Sequence, residues 1–134
     1  MTPDQARDEM LAVFKAAWDT TGFVAVYSDV PGTAPTSEQA WARVSVRHAT
    51  GGQTGLSPTT LKRFTQSGTL IVQVFAPVGD GLSKVYELAQ LLLLAYSQSR
   101  GSVWYRRMRI QEVGNDGAFE QINFITDFTY DDQR

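Results

Sequence analysis

The sequence predicts an α+β domain, a mainly antiparallel β-sheet with two principal helices packed on one face. Three features carry that expectation. Two segments, one at the start and one in the middle, repeat apolar residues at helical spacing. Several segments alternate apolar and polar residues as strands do. The last third is a pair of such segments flanking Gly114-Asn115-Asp116-Gly117. With 134 residues the chain is expected to be one domain, 1–134. A chain of that size buries roughly two-thirds of its unfolded surface. No internal repeat is visible.

The first helix is predicted at about residues 3 to 20. Thr2 suits the N-cap, Pro3 the first helical position, and Gln5 completes a capping box. Ala6, Met10, Val13, Phe14, Ala17 and Trp18 form one apolar stripe. Asp4, Asp8 and Glu9 lie in the early turns, where the helix dipole favours acids, and Gly22 stops the helix. Phe23 to Ser28 reads as a short strand, and 29–38, with Pro31, Gly32 and Pro35, as a loop.

Trp41 to Ala49 is the second strand. It places Ala42, Val44 and Val46 on one face and Arg43, Ser45 and Arg47 on the other. Thr50 to Pro58 holds three glycines and a proline in nine residues, which predicts a flexible loop over about 50–64. The next strand is strongest from Thr69 to Ala76. Its nearly continuous apolar character suits a central position under helices. Pro77-Val-Gly-Asp-Gly81 breaks it and opens a second helix at about 82–99. Leu82, Val85, Leu88, Ala89, Leu92, Leu93 and Tyr96 form that helix's buried stripe. Arg100 and a C-capping Gly101 end it.

The register of the final hairpin follows from its faces. A two-residue loop at Asp116-Gly117 would put Arg107 and Arg109 beside Ile122, Phe124 and Phe128. A three-residue loop, Asn115-Asp116-Gly117, pairs Ile110 with Ile122, Met108 with Phe124 and Trp104 with Phe128. The second is preferred, because a one-residue slip reverses every side chain. It turns Tyr105, Arg107, Arg109 and Gln111 outward with Asn123 and Asp127, and sets Glu112 opposite Glu120.

Composition narrows the chemistry. There is no cysteine, hence no disulfide framework, thiolate metal site or thiol nucleophile. A net charge of −2 argues against a free-standing nucleic-acid binder. Charged residues at 19%, below the roughly 25% of average domains, leave room for uncharged contact surface. The first nine residues do not read as a signal peptide, and Leu91 to Ala95, the longest apolar run, is too short to span a bilayer. The one histidine, His48, has no Gly-x-Ser-x-Gly elbow to serve and reads as a partly buried or interface residue. Asp131 and Asp132 read as an acidic tail and Asp80 as a helix cap, without calcium-loop spacing. Gly79-Asp80-Gly81 lacks the remainder of a phosphate-binding loop. No cofactor, metal or catalytic residue is expected.

The charge pattern points elsewhere. Arg100, Arg106, Arg107 and Arg109 fall in ten residues without an acid, and residues 112 to 132 then hold six acids and no base. Two readings stand side by side: pairing within the hairpin, or basic and acidic edges meeting on neighbouring copies.

Three groups of segments carry a family resemblance. Trp41-Ala-Arg-Val-Ser-Val-Arg-His48 leads into Gly51-Gly52-Gln53. Gly68-Thr-Leu-Ile-Val-Gln-Val-Phe-Ala-Pro77 is followed by Gly79-Asp80-Gly81. Val103 precedes Arg109-Ile-Gln-Glu-Val-Gly114, Asp116-Gly117 and Gln121-Ile-Asn-Phe124. In order and spacing these resemble the tail terminator, or tail completion, proteins of lambda-like long-tailed phages. The resemblance implies an α+β structural protein with no catalytic residues, assembled in the host cytoplasm into a virion. It implies a hexameric ring that caps the tail tube, ends tube growth and offers the surface that joins the head connector, with DNA passing through the bore. Another head–tail joining or tube component, or a small-molecule-binding α+β domain, are the alternatives. The expected interface residues are Arg43, Arg47, Arg107 and Arg109 on the outward sheet face with Asp127. Gln53, Lys62 and Arg63 are expected on the 50–64 loop as a docking element.

Overall fold

The computed structural model describes residues 1–27, 39–49, 52–53 and 63–133. Helix α1 spans Pro3–Trp18, and helix α2 spans Gly81–Ser97 after a single 3-10 turn. The strands among the described residues are β1 Val24–Tyr27, β2 Trp41–His48, β3 Gly52–Gln53, β4 Arg63–Pro77, β5 Trp104–Asn115 and β6 Phe119–Gln133. The sheet order is β1-β2-β4-β6-β5, with β3 paired to the far end of β4. Every pair is antiparallel except β1 with β2. This is the α+β architecture that the sequence predicts.

α1 begins as its sequence dictates. The Thr2 hydroxyl accepts from Gln5 N–H at 3.2 Å, and the Gln5 side chain accepts from Thr2 N–H at 2.9 Å. Its buried stripe is Ala6, Met10, Phe14 and Trp18. The Trp18 indole donates to the Phe23 carbonyl at 3.0 Å, which fixes the turn into β1, and Gly22 makes that turn at φ +74°. α2 buries Val85, Leu88, Ala89, Leu92 and Tyr96, while Leu82, expected in the stripe, is exposed. The Tyr96 hydroxyl donates to the Met10 carbonyl at 2.8 Å and ties the two helices together. Both helices cover one face of the sheet, against Ala42, Val44, Leu70, Val72, Val74, Ile122, Phe124 and Phe128.

Four expectations need correction. First, the 50–64 loop is not wholly loop. Gly52 and Gln53 pair with Thr65 and Phe64, and the central strand starts at Arg63 rather than near Thr69. The long partner β6 pairs with β4 from Pro77 back to Arg63, so the ladder continues past the helices. Lys62 and residues 54–61 lie outside the described residues. Second, Asp131 and Asp132 are not a tail: they pair with Thr65 and Phe64 inside β6, and Asp132 is buried.

Third, Gly101 is not a left-handed cap, since its φ is not positive. The Glu9 carboxylate accepts from Ser102 N–H at 3.1 Å and Val103 N–H at 2.8 Å, and a Cβ on Gly101 would stand 2.6 Å from it. A side chain there would have to displace the Glu9 carboxylate from these two hydrogen bonds. Fourth, the hairpin register differs. Asn115 pairs with Glu120, Ile110 with Phe124, Glu112 with Ile122 and Tyr105 with Phe128. Bulges fall between Glu112 and Gly114 and between Arg106 and Arg109. Each adds one residue to β5, so the faces expected for Ile110, Arg109 and Gln111 hold but reverse beyond the second bulge. Trp104 is therefore outward and exposed, and Tyr105 packs inward against Tyr96. Glu112 and Glu120 no longer face each other.

Candidate functional site

The face of the sheet without helices is built by register. Reading across β2, β4, β6 and β5, its rows are Trp41-Phe75-Gln121-Gly114, then Arg43-Gln73-Asn123-Gln111, then Ser45-Ile71-Ile125-Arg109, then Arg47-Thr69-Asp127-Arg106. Arg107 adjoins the last row at the bulge, where its φ of +56° marks strained backbone. These rows hold five arginines and one acid in a chain of net charge −2.

Each expected sheet residue can now be placed. Arg107 Nε stands 3.2 Å and Arg109 Nη1 3.5 Å from the two Asp127 carboxylate oxygens. Arg109 also donates to the Arg107 carbonyl at 2.7 Å. Pairing within the hairpin thus engages Asp127, but both arginines stay solvent-exposed, and each pair is worth less than about 1 kcal/mol. Arg43 lies over the Trp41 ring at 5.4 Å, and Arg47 is exposed on the row of Asp127. Gln53 and Arg63 are placed by backbone alone, on β3 and the start of β4. They lie on the arm beyond the helices, away from Trp41 and Phe75.

Sequence reasoning missed an aromatic group on this face. Trp41 stacks on Phe75 at 4.2 Å and meets the edge of Phe119 at 6.4 Å. The Trp41 indole N–H is buried and meets no acceptor among the described residues. The signal was available: the alternation that sends Ala42 inward sends Trp41 outward with Arg43.

His48 faces the other way. Its Nε2 is 2.7 Å from the Tyr130 hydroxyl, and the Phe128 and Tyr130 rings are edge-on to it. Burial lowers its pKa from 6.5, so the neutral ring is favoured. Burial likewise pushes the Tyr105 and Tyr96 hydroxyls up. Among the described residues no cluster of three metal-ligating side chains occurs. No helix among them is long and apolar enough to cross a membrane. A concavity of about 590 Å³ between the end of α1 and α2 is lined by Phe23, Leu91 and Leu94 with Thr20, Thr21 and Lys84. Lys84 and Glu87 on its wall stand 4.0 Å apart as an ion pair.

Fold and site together define an α+β protein whose chemically distinct surface is an arginine-rich sheet face that no described helix covers. A family model described as phage tail terminator protein matches residues 7–103, well over half of the chain. The chain belongs to the phage tail terminator family. It is a structural protein of the phage tail, with its place in the virion. One solved structure, whose name states no function, aligns over 92% of this chain and 94% of its own at a TM-score of 0.58 and 16% identity, a likeness of fold. A chain from the virion of a native gene transfer agent particle aligns over 92% and 84% at a TM-score of 0.45 and 14% identity. No curated protein matches in sequence.

Proposed function

We propose that this chain, acting as a single domain over 1–134, is a tail terminator subunit. Copies form a hexameric ring on the end of the tail tube. The ring stops tube growth and presents the surface to which the head connector joins, with genomic DNA passing through. Assembly takes place in the host cytoplasm, and no catalysis is involved. The observation that carries this reading is the sheet's open face. In a family of tail proteins, half-buried Ile71, Phe75 and Ile125 interspersed with arginines form a contact surface for large partners. Arg43, Arg47, Arg107 and Arg109 with Asp127 supply its polar part, and the arm bearing Gln53 and Arg63, with Lys62, is the docking element.

The test is the mass of the protein by light scattering over a wide concentration range, alone and with open-ended tail tubes. A discrete ring, or a monomer that caps tubes and halts their growth, is the expected result. A monomer at every concentration that ignores tubes would end this reading.

A further inference from the structure

The charges of β5 and the turn after it are sorted along the chain, while β6 brings Asp127, Asp131 and Asp132 back to the basic end. Trp104 to Arg109 holds three arginines and no acid, whereas Gln111 to Gln121 holds Glu112, Asp116 and Glu120 and no base. Arg106 and Asn115 at the turn are nine residues of strand apart, roughly 30 Å at the rise of a β-strand.

At the basic end, Arg106 lies across from Asp127, and Arg47 reaches the same row through Thr69. With Arg107 and Arg109 that makes four arginines to one carboxylate, a surplus of three positive charges among these side chains. Arg106 and Arg107 line a shallow cleft of about 360 Å³ together with Ser67, Thr69, Asp127 and Thr129, and Arg47 lies beside it as the strand partner of Thr69. Trp104, on the row beside it, is 56% exposed. Tryptophan and arginine are the residues that most often dominate the energy of protein contacts.

The acidic end is shaped to be received. The bulge displaces Val113, which is 52% exposed. The Asp116 carboxylate accepts from Ala118 N–H at 3.0 Å and Phe119 N–H at 2.9 Å, and Asn115 accepts from Gly117 N–H at 3.2 Å, so the tip is held in one shape. The Tyr86 hydroxyl donates to Glu112 and braces the tip on α2. A preformed tip loses little entropy on docking.

The tip cannot reach the cleft at the other end of its own strand. Its complement is the cleft of another copy. Unlike surfaces at opposite ends of one element produce head-to-tail association, the kind that closes into rings. We propose that the acidic hairpin tip of one copy docks in the arginine-lined cleft of the next, Val113 packing on Trp104 and Glu112 and Glu120 pairing with Arg106 and Arg47. This rests on the ring reading and names the contact that builds the ring.

The experiment is a charge swap in the full chain. One variant carries Arg47→Glu and Arg106→Glu, leaving Asp127 its two partners. The other carries Glu112→Arg and Glu120→Arg, which keeps the Asp116 turn but gives up the Tyr86 contact with Glu112, so recovery in the mixture, and not loss alone, reads the pairing. Each alone should weaken self-association at least tenfold, and an equal mixture should restore it, because every tip then meets a cleft of opposite charge. A salt titration of the unaltered protein is a second reading that needs no variant: association should weaken steeply as charges are screened. Assembly unchanged in both variants would place the contact elsewhere and leave the ring standing. An unaltered chain that stays monomeric alone and on tubes would remove the ring and this contact together. Tight binding of a short DNA duplex, lost only in the Arg47/Arg106 variant while assembly persists, would assign the arginines to nucleic acid and overturn the proposal.

Discussion

Along β6, Ile122, Phe124, Thr126, Phe128 and Tyr130 are wholly buried, while Gln121, Asn123, Ile125, Asp127 and Thr129 are half-buried on the face no helix covers. One backbone thus serves two environments. The covered face is close-packed and tolerates little change in volume. Its buried hydroxyl at Thr126 donates to the Arg106 carbonyl at 3.1 Å, so it is satisfied and clamps the bulge. Away from the Trp41–Phe75 stack at one end, the open face mixes amides, arginines and isolated aliphatics, whose contribution to the isolated fold is small. Stability belongs to one side, and the other is free to serve contact.

The strongest way to break this contrast is to truncate neighbours on opposite faces. Phe124→Ala should cost about 3–5 kcal/mol of unfolding free energy, and Ile125→Ala, one residue away, only about 1 kcal/mol. Urea melts of the two variants would measure the difference, and equal losses would show that the open face is packed after all. Next comes Gly68→Ala. A Cβ there would lie 2.1 Å from the Arg47 carbonyl oxygen and 2.6 Å from the Phe128 ring, so backbone must shift. Overpacking of that kind should cost about 3 kcal/mol and lower the melting temperature.

A smaller effect is expected at Asp127. Asp127→Asn releases two arginines that are already solvated, and should change stability by less than about 1 kcal/mol. Calorimetry would read it, and a large loss would make the cluster a structural element rather than a surface one. The smallest effect is pH-dependent. Because burial lowers the His48 pKa from 6.5, the unfolded chain takes up its proton at higher pH than the folded chain. The contribution of neutral His48 is complete above 6.5 and declines as pH falls below it, until the folded ring itself titrates. Denaturant midpoints at pH 7.5 and 5.5 should therefore differ less in His48→Gln than in the unaltered protein.

Local signals alone determined much of this protein. The capping box at Thr2 and Gln5 and the stripes of both helices were legible, because hydrogen-bond chemistry and helical spacing act within a few residues. So were the faces of β2, and the outward grouping of Arg107, Arg109 and Asp127. What only the tertiary structure decided is where alternation breaks. The bulges that send Trp104 out and Tyr105 in depend on how β6 sits under α2 and on the Thr126 clamp, neither of which β5 encodes. Gly101 and Gly68 owe their identity to Glu9 and to the Arg47 carbonyl with Phe128, atoms brought close only by folding. The pairing of Gly52 and Gln53 with β4 was hidden because glycine-rich sequence reads as loop, and only the adjacent strand supplies its hydrogen bonds.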